Sequence, residues 1–392
     1  MLATSLSLSA LRRRATAAAA SAPPWWTTAE HLVDGTAPAL AADLARDRYA
    51  LGADKSFADL FTLSSGSKRV VDAAGLLATA AANAPAWDWS TGRRRLLLEP
   101  APATNLCLQS NALATSAWTV TGTVSSDVFV GWSGATDLDR YAEAASANLV
   151  RTAAAIPIVA GQTYTVSCVL RRDNADWVRL MVGDDSTFPR VGRVWFNLAT
   201  GTVGATVTGG GAHTVSGPRC TALGNGLWRC SFQVVTVGYS TLWLAMNTAS
   251  ASGSNSRADV GSGAGIGSAF GLGHVQVEAG AVATSWIPTT TAAATRVADD
   301  LRLSPAALAL LGGSAATIAL RGRAAAIGTS APILLGSDAE IRLAEITSTG
   351  LLASGNGSAS LTATTGGGAV TADFGAAIAR AATGRKAALT GG

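Results

Sequence analysis

Across Trp228–Val234 apolar and polar residues alternate without a break. Trp228, Cys230, Phe232 and Val234 fall on one side of an extended chain, and Arg229, Ser231 and Gln233 fall on the other. A period of two marks a strand with one face in a core and excludes an amphipathic helix, whose period is 3.6. Tyr164, Val166, Cys168 and Leu170 repeat the pattern. Such runs recur from Asn105 to about Pro288, and the Gly-rich segments Gly209–Gly211 and Gly261–Gly273 read as loops between them. Apolar-in, polar-out alternation is what the strands of two packed antiparallel sheets require. The expected fold class is therefore mainly β, with a β-sandwich central module at residues 105–290.

The flanking regions read differently. Residues 1–70 form an irregular, partly helical anchoring region, residues 71–104 a connecting hairpin segment, and residues 291–392 a short β-rich C-terminal module. A short apolar run, Leu2 to Leu11, precedes Arg12, Arg13 and Arg14. Export signals place the charge first, so this segment is expected to be an arm that docks or makes oligomer contacts. Pro23 and Pro24 stop any helix before them, and the adjacent Trp25 and Trp26 are expected to bury against a neighbouring subunit. Leu40, Leu44 and Arg48 recur at helical spacing and predict a short helix within Asp34–Arg48. From Tyr49 to Leu98 the short runs Phe57–Phe61 and Arg69–Asp72 predict hairpins, and Trp87 and Trp89 share one face of a strand. After the linker Thr289–Thr291, strands of another sandwich are expected in a module that is minimal, incomplete or completed by another chain.

Charged residues make up only 14% of the chain and the net charge is +4. The one compact basic cluster in the body of the chain is Arg93–Arg95, so no nucleic-acid partner is expected. No run of 18 apolar residues predicts a membrane-spanning helix. Cys107, Cys168, Cys220 and Cys230 lack C-x-x-C spacing, which argues against a zinc site. Cys220 and Cys230 are candidates for neighbouring strands, and all four read as small buried hydrophobes in a reducing cytoplasm.

Catalytic signatures are missing. The chain has 3 histidines, with no nucleophile elbow, zinc-protease helix or phosphate loop. A non-enzymatic protein is expected. The acidic pairs Asp137/Asp139 and Asp184/Asp185 read as loop residues. They would serve a glycosidase if they faced each other across a cleft, or a structural calcium ion, the single candidate cofactor, if they converged in loops. Trp195 lies opposite Val194 and Phe196 and beside Asn197, and Trp243 lies opposite Leu242 and Leu244 on the side of Asn247. Outward tryptophans beside asparagines suit a glycan platform or a subunit interface. Trp132, between Gly131 and Ser133, has the same standing.

Three phrases resemble a pattern found in phage virion proteins, including head-spike and tail-fibre proteins and the spikes of gene transfer agents. The first runs Leu96-Leu97-Leu98-Glu99-Pro100 into Thr104-Asn105-Leu106. The second is Gly226-Leu227-Trp228-Arg229-Cys230. The third is Val275-Gln276-Val277-Glu278-Ala279-Gly280, followed by Ala283–Thr289 and Thr295–Asp299. The segments Val71–Leu77 and Asn83–Trp89 fit the preamble of such proteins, and Pro157 with Gly161–Thr165 resembles a strand opening of carbohydrate-binding jelly rolls. The resemblance covers about residues 70–300. It implies a jelly-roll module in a virion spike or fibre subunit, assembled in the bacterial cytoplasm and carried on the particle surface. Implied partners are other copies of the chain, as trimer or pentamer, capsid or tail proteins of the particle, and host surface polysaccharide. The alternatives are a purely structural adaptor between the particle and a separate fibre, and a glycan depolymerase.

Overall fold

The computed structural model describes residues 23–29, 32, 35, 37–144, 149–184, 191–208, 213–255 and 267–310, and beyond them the backbone of the C-terminal strands. Before the central module lie β1 (Leu40–Asp43), β2 (Arg48–Leu51), β3 (Asp54–Lys55), helix α1 (Phe57–Leu60), β4 (Phe61–Ser64), β5 (Lys68–Val71), β6 (Leu77–Ala80), β7 (Trp87–Asp88), β8 (Arg95–Leu96) and β9 (Ala103–Asn105). The module comprises β10 (Trp118–Thr121), β11 (Thr123–Val130), β12 (Thr136–Ala142), β13 (Leu149–Thr152), β14 (Ile156–Pro157), β15 (Thr163–Arg172), β16 (Trp177–Gly183), β17 (Val191–Asn197), β18 (Thr202–Val207), β19 (His213–Gly224), β20 (Leu227–Thr236), β21 (Thr241–Ala249) and β22 (Ala269–Ala279). After it come β23 (Ala294–Arg296), β24 (Asp300–Leu303) and helix α2 (Pro305–Ala309).

The first sheet has the order β10-β13-β21-β16-β17-β18, with β14 paired to β21, and the second has the order β11-β12-β22-β15-β20-β19. Within them β12-β22-β15-β20 faces β13-β21-β16-β17, the strand order of an eight-stranded jelly roll. The module is thus a jelly-roll β-sandwich. Its core is built by the alternation read from the sequence. Tyr164, Val166, Cys168 and Leu170 from β15 and Cys230, Phe232 and Val234 from β20 meet Val178, Leu180, Phe196 and Leu244 of the first sheet. At its rim, Gly201 (φ 72°) lies under the Trp228 ring, where an added Cβ would stand 2.1 Å from a ring carbon. Only glycine fits there.

One irregularity redirects a side chain. Ser167 pairs with Gln276 and Val169 with Gly273, so β22 carries an extra residue. Leu272 and Val275 both point into the core, while His274, at φ 51°, turns out of the second sheet. There it packs against Trp286 at a centroid distance of 4.2 Å and Trp132 at 6.4 Å.

The segments on either side of the jelly roll are fastened to each other and to that sheet. β9 pairs with β23, and β4 with β24. Pairing thus runs across the boundaries at residues 104 and 290. The Asn105 amide is fully buried and fully used. Its Oδ1 accepts from the N–H of Cys107 and Val277 (3.0 Å each), and its Nδ2 donates to the carbonyls of Val275 (3.0 Å) and Ile287 (2.9 Å). Glu99 accepts from Ser285 N and Oγ (2.8 Å each) and pairs with Arg296 (3.3 Å). Asp299 accepts from Glu99 N (2.6 Å) and forms a buried ion pair with Lys68. Glu278 accepts from Thr284 N (2.8 Å), and Arg229 donates to Thr284 O (2.7 Å).

Two local readings are corrected. Among the described residues of 34–48 no helix forms; residues 40–48 enter the hairpin β1–β2. Asp43 Oδ1 accepts from Ala45 N and Arg46 N at 3.1 Å, and Asp47 adopts φ 58°. This Asx turn outcompetes the weak helical spacing of Leu40 and Leu44. Conversely, Phe57–Leu60 is a helical turn and not a strand, because Ser56 and Asp59 form a reciprocal capping box. In the C-terminal part, Ala316–Arg323, Asp373–Ala381 and Gly384–Thr390 form one sheet, and Ser330–Leu335, Arg342–Thr347, Gly350–Gly355 and Ser360–Ala363 another.

Substituting Asn105→Ala leaves two buried N–H groups and two carbonyls unpaired at about 1 kcal/mol each, a loss of about 4 kcal/mol. The expected outcome is a correspondingly lower midpoint in urea unfolding of the full chain, with an unchanged slope.

Candidate functional site: the outer face of the first sheet

The two outer faces of the sandwich differ in how the chain treats them. The outer face of the second sheet, with Val169, Leu227, Arg229, Gln276 and Glu278, is covered by residues 68–99 and 281–299. Val71, Leu77, Trp132, Leu138 and Trp286 join Val169 and Leu227 in one apolar cluster there. Among the described residues neither flanking segment packs on the outer face of the first sheet, where Met181, Val191 and Ala245 are buried in a small apolar cluster of their own.

Strand register assembles the first sheet's outer face. Arg179 lies opposite both Trp195 and Asn247, Trp177 opposite Asn197, and Gly183 opposite Trp243. In the next row Arg151 faces Ala245, Ala245 faces Met181, and Met181 faces Arg193. Four of the residues singled out from sequence, Trp195, Asn197, Trp243 and Asn247, therefore share one surface. They are not equally available. Trp243 is half-buried, with the Arg151 guanidinium 5.2 Å from its ring centroid. Asn197 is also half-buried, and its Oδ1 accepts from Ala199 N and Thr200 N, shaping the turn after β17. Trp195 and Asn247 are buried, correcting the expectation that both stand exposed. The segment Ser250–Asn255 folds back over them. Trp195 Nε1 donates to Ser254 O (2.8 Å), Asn247 Oδ1 accepts from Arg179 (3.2 Å), and Arg179 also reaches Asn255 (2.5 Å). Alternation along a strand identifies the face of a side chain but is blind to a loop that returns over that face. The arginines Arg151, Arg179 and Arg193 were missed from sequence because single cations on separate strands form no cluster until register brings them together.

Trp132 belongs elsewhere. It is buried in the apolar cluster behind the second sheet, with Arg229 over its ring at 5.9 Å, and cannot offer a face to a sugar. The aspartates also fall short of a joint site. Asp137 and Asp139 lie on β12 and not in a loop. Asp139 takes the N–H of Leu113 (2.7 Å) and of Asp127 (3.0 Å) on its two oxygens, and Asp137 accepts from Ser133 Oγ (2.5 Å). Burial raises the pKa of both. Asp184 is buried at the end of β16, and Asp185 lies outside the described residues. Among the described residues no three His, Cys, Asp or Glu side chains gather as a metal site.

At the N-terminus, Trp25 and Trp26 pack edge to face at 5.9 Å, and Trp25 Nε1 donates to Asp54 Oδ1 (3.1 Å), so the pair is tied to this chain's own hairpin. Arg12, Arg13 and Arg14 lie outside the described residues. Cys220 and Cys230 do face each other on neighbouring strands, with sulfurs 3.3 Å apart as thiols. A shallow groove of about 350 Å³ at the β14 edge, between Pro102, Leu106, Val159 and Tyr164, presents neither a charge nor a tryptophan.

Two predictions separate framework from surface. Trp132→Ala opens a cavity in a packed cluster and is expected to lower unfolding stability by about 3–5 kcal/mol, whereas Trp243→Ala, at a half-buried position, costs about 1 kcal/mol or less. Denaturant titration of both variants checks the order. Burial, and then the nearby cations Arg229 and Arg69, push the His274 pKa from 6.5 down to about 3. The unfolded chain therefore takes up a proton that the folded chain refuses. Stability from neutral His274 is complete above pH 6.5 and is lost as pH falls toward 3, by about 2–3 kcal/mol between pH 7 and pH 4.5. His274→Asn, which tolerates the positive φ, is expected to flatten the dependence of the urea midpoint on pH over that range.

No family profile matches the chain, and no curated protein matches it. Among solved structures, the chain is similar to the CBM22-1 xylan-binding domain from Paenibacillus barcinonensis Xyn10C, at 13% sequence identity, covering 46% of this chain and 94% of that domain, with a TM-score of 0.27.

Proposed function

We propose that this chain is a subunit of a surface spike or fibre on a phage-type particle, and that it contacts host surface glycans through the outer face of the first sheet. The observation that carries the glycan half is the asymmetry between the two faces. The described flanking segments seal the second sheet and leave on the first a half-buried tryptophan ring, Trp243, with the Arg151 guanidinium over it. A flat aromatic surface with hydrogen-bond donors at its edge suits a sugar ring, apolar on its faces and polar on its rim. The particle half rests on the three phrases between residues 70 and 300, whose polar residues hold one another in the fastening of the jelly roll.

On this reading the chain binds without cleaving. Asp139 is engaged by two backbone N–H groups, which supports an anchoring role over acid–base work. The N-terminal region docks to capsid or tail proteins, the chain assembles with copies of itself as a trimer or pentamer, and assembly takes place in the bacterial cytoplasm.

Two measurements test the reading. The purified full chain is expected to bind a subset of a polysaccharide array without shortening any polymer, and Trp243→Ala is expected to weaken that binding about tenfold, the effect of losing about 1.4 kcal/mol. Immunogold labelling is expected to place the chain on the particle surface. Surface labelling with no binding on the array would leave a purely structural adaptor, and release of shortened chains would make it a depolymerase.

A further inference from the structure

Resting on the glycan-binding reading above, we infer that the ligand is an acidic polysaccharide, whose anionic groups are held by Arg151 and Arg193, one on either side of the buried Ala245 and Met181.

The argument starts from charge. The strands β10, β13, β16, β17, β18 and β21 contain Arg151, Arg179 and Arg193 and not one Asp, Glu or Lys. Among the described residues six arginines elsewhere sit in ion pairs: Arg46 with Asp43, Arg94 with Asp47, Arg140 with Asp173, Arg172 with Asp176, Arg296 with Glu99 and Arg302 with Asp300. Among the described residues Arg193 has no ion-pair or hydrogen-bond partner, and its Nε is buried without one. Burial pushes its pKa down, with no carboxylate to oppose the shift. Arg151 spends one bond on its neighbour's carbonyl, Thr152 O at 3.2 Å, and otherwise lies over Trp243. Keeping a half-buried guanidinium without an anion is unfavourable, and an anionic ligand removes that penalty.

Spacing decides among polyanions. Arg151 and Arg193 stand in one cross-strand row with β21 and β16 between their strands. Three strand spacings separate them by about 14 Å. Two such cations on a lysine-free face match a polymer with one anionic group on each sugar or every few sugars. A nucleic acid strand, with a charge about every 3.4 Å, calls for a denser basic face.

The test is affinity electrophoresis of the full chain against polygalacturonate, dextran sulfate, uncharged dextran and xylan, with a single-stranded oligonucleotide as competitor. Retention by one or both acidic polymers is expected, with the two arms separating carboxylate from sulfate recognition. Retention should weaken several-fold between 50 and 200 mM salt, and Arg193→Gln and Arg151→Gln should each weaken it about tenfold. Arg193→Lys should restore most of it, which separates charge from fold, and Arg219→Gln, on the exposed edge strand β19, should change nothing. Retention by the uncharged polymers with no effect of the Arg→Gln variants would overturn the acidic ligand and leave the glycan reading standing. Failure to bind any polysaccharide would overturn that reading as well. Displacement by the oligonucleotide at lower concentration than by polygalacturonate would reassign the face to nucleic acid and overturn the inference.

Discussion

A buried polar fastening sets what the rest of this chain can do. Asn105, Glu99, Arg296, Asp299 and Lys68 are all buried, and each is held by partners from the far side of the jelly roll in sequence. Removing charges from water is costly, and a buried ion pair is tolerated only where further hydrogen bonds satisfy its remaining atoms. Backbone N–H groups and carbonyls supply most of those bonds here, with Asp299 Oδ1 left without one, so the network fixes the path of the main chain as much as the side chains. Residues 99–107 and 275–299 cannot shift against each other without stranding several groups at once. Specificity of path, more than net stability, is what such a network contributes.

That fastening has a consequence for the two faces of the sandwich. An antiparallel sheet can leave its outer face to solvent, yet the second sheet is covered by the segments the network holds down. The bulge at His274 belongs to the same construction, because it turns one residue of β22 out of register and wedges its ring between Trp132 and Trp286. A neutral imidazole in that place suits packing and not proton transfer. On the proposed reading, recognition falls to the outer face of the first sheet, where Trp243, Arg151 and Arg193 are only partly buried.

Much of this was legible in the sequence, and the misses at the candidate site share a cause. Alternation gave the strands, their core faces and the sandwich, because a period of two needs no knowledge of partners. It also put Trp195 and Trp243 on the outward side of their strands, correctly. It missed that Ser250–Asn255 covers Trp195, and it could not see Arg193 and Arg151 in one row, since register is a property of strand pairing. The helix expected over residues 34–48 failed for a local reason, as Asp43 caps its own turn. The most recognisable phrases carry the resemblance to a protein class. Physically they are the polar letters of the fastening, which is why so many of them are Glu, Asn, Thr, Ser and Arg in segments that end up buried.

On the proposed reading, a face with one half-buried tryptophan and two cations binds each ligand segment weakly, because side chains this dispersed immobilise little of a flexible polymer and remain screened by salt. Weakness is tolerable where copies are held together. A second site on the same particle meets a polymer already tethered by the first, at an effective concentration in the millimolar range, and avidity gains of about 10²–10⁴ follow without any new contact. The gain is lost if the sites cannot engage together, which places a demand on rigidity between the mount and the sheet. Pairing of β4 with β24 and of β9 with β23 meets that demand, since it ties the segment leading into the jelly roll to the segment leading out. The fastening and the recognition face are thus two parts of one physical solution: the first holds the module's flanks in place, and the second can then stay simple.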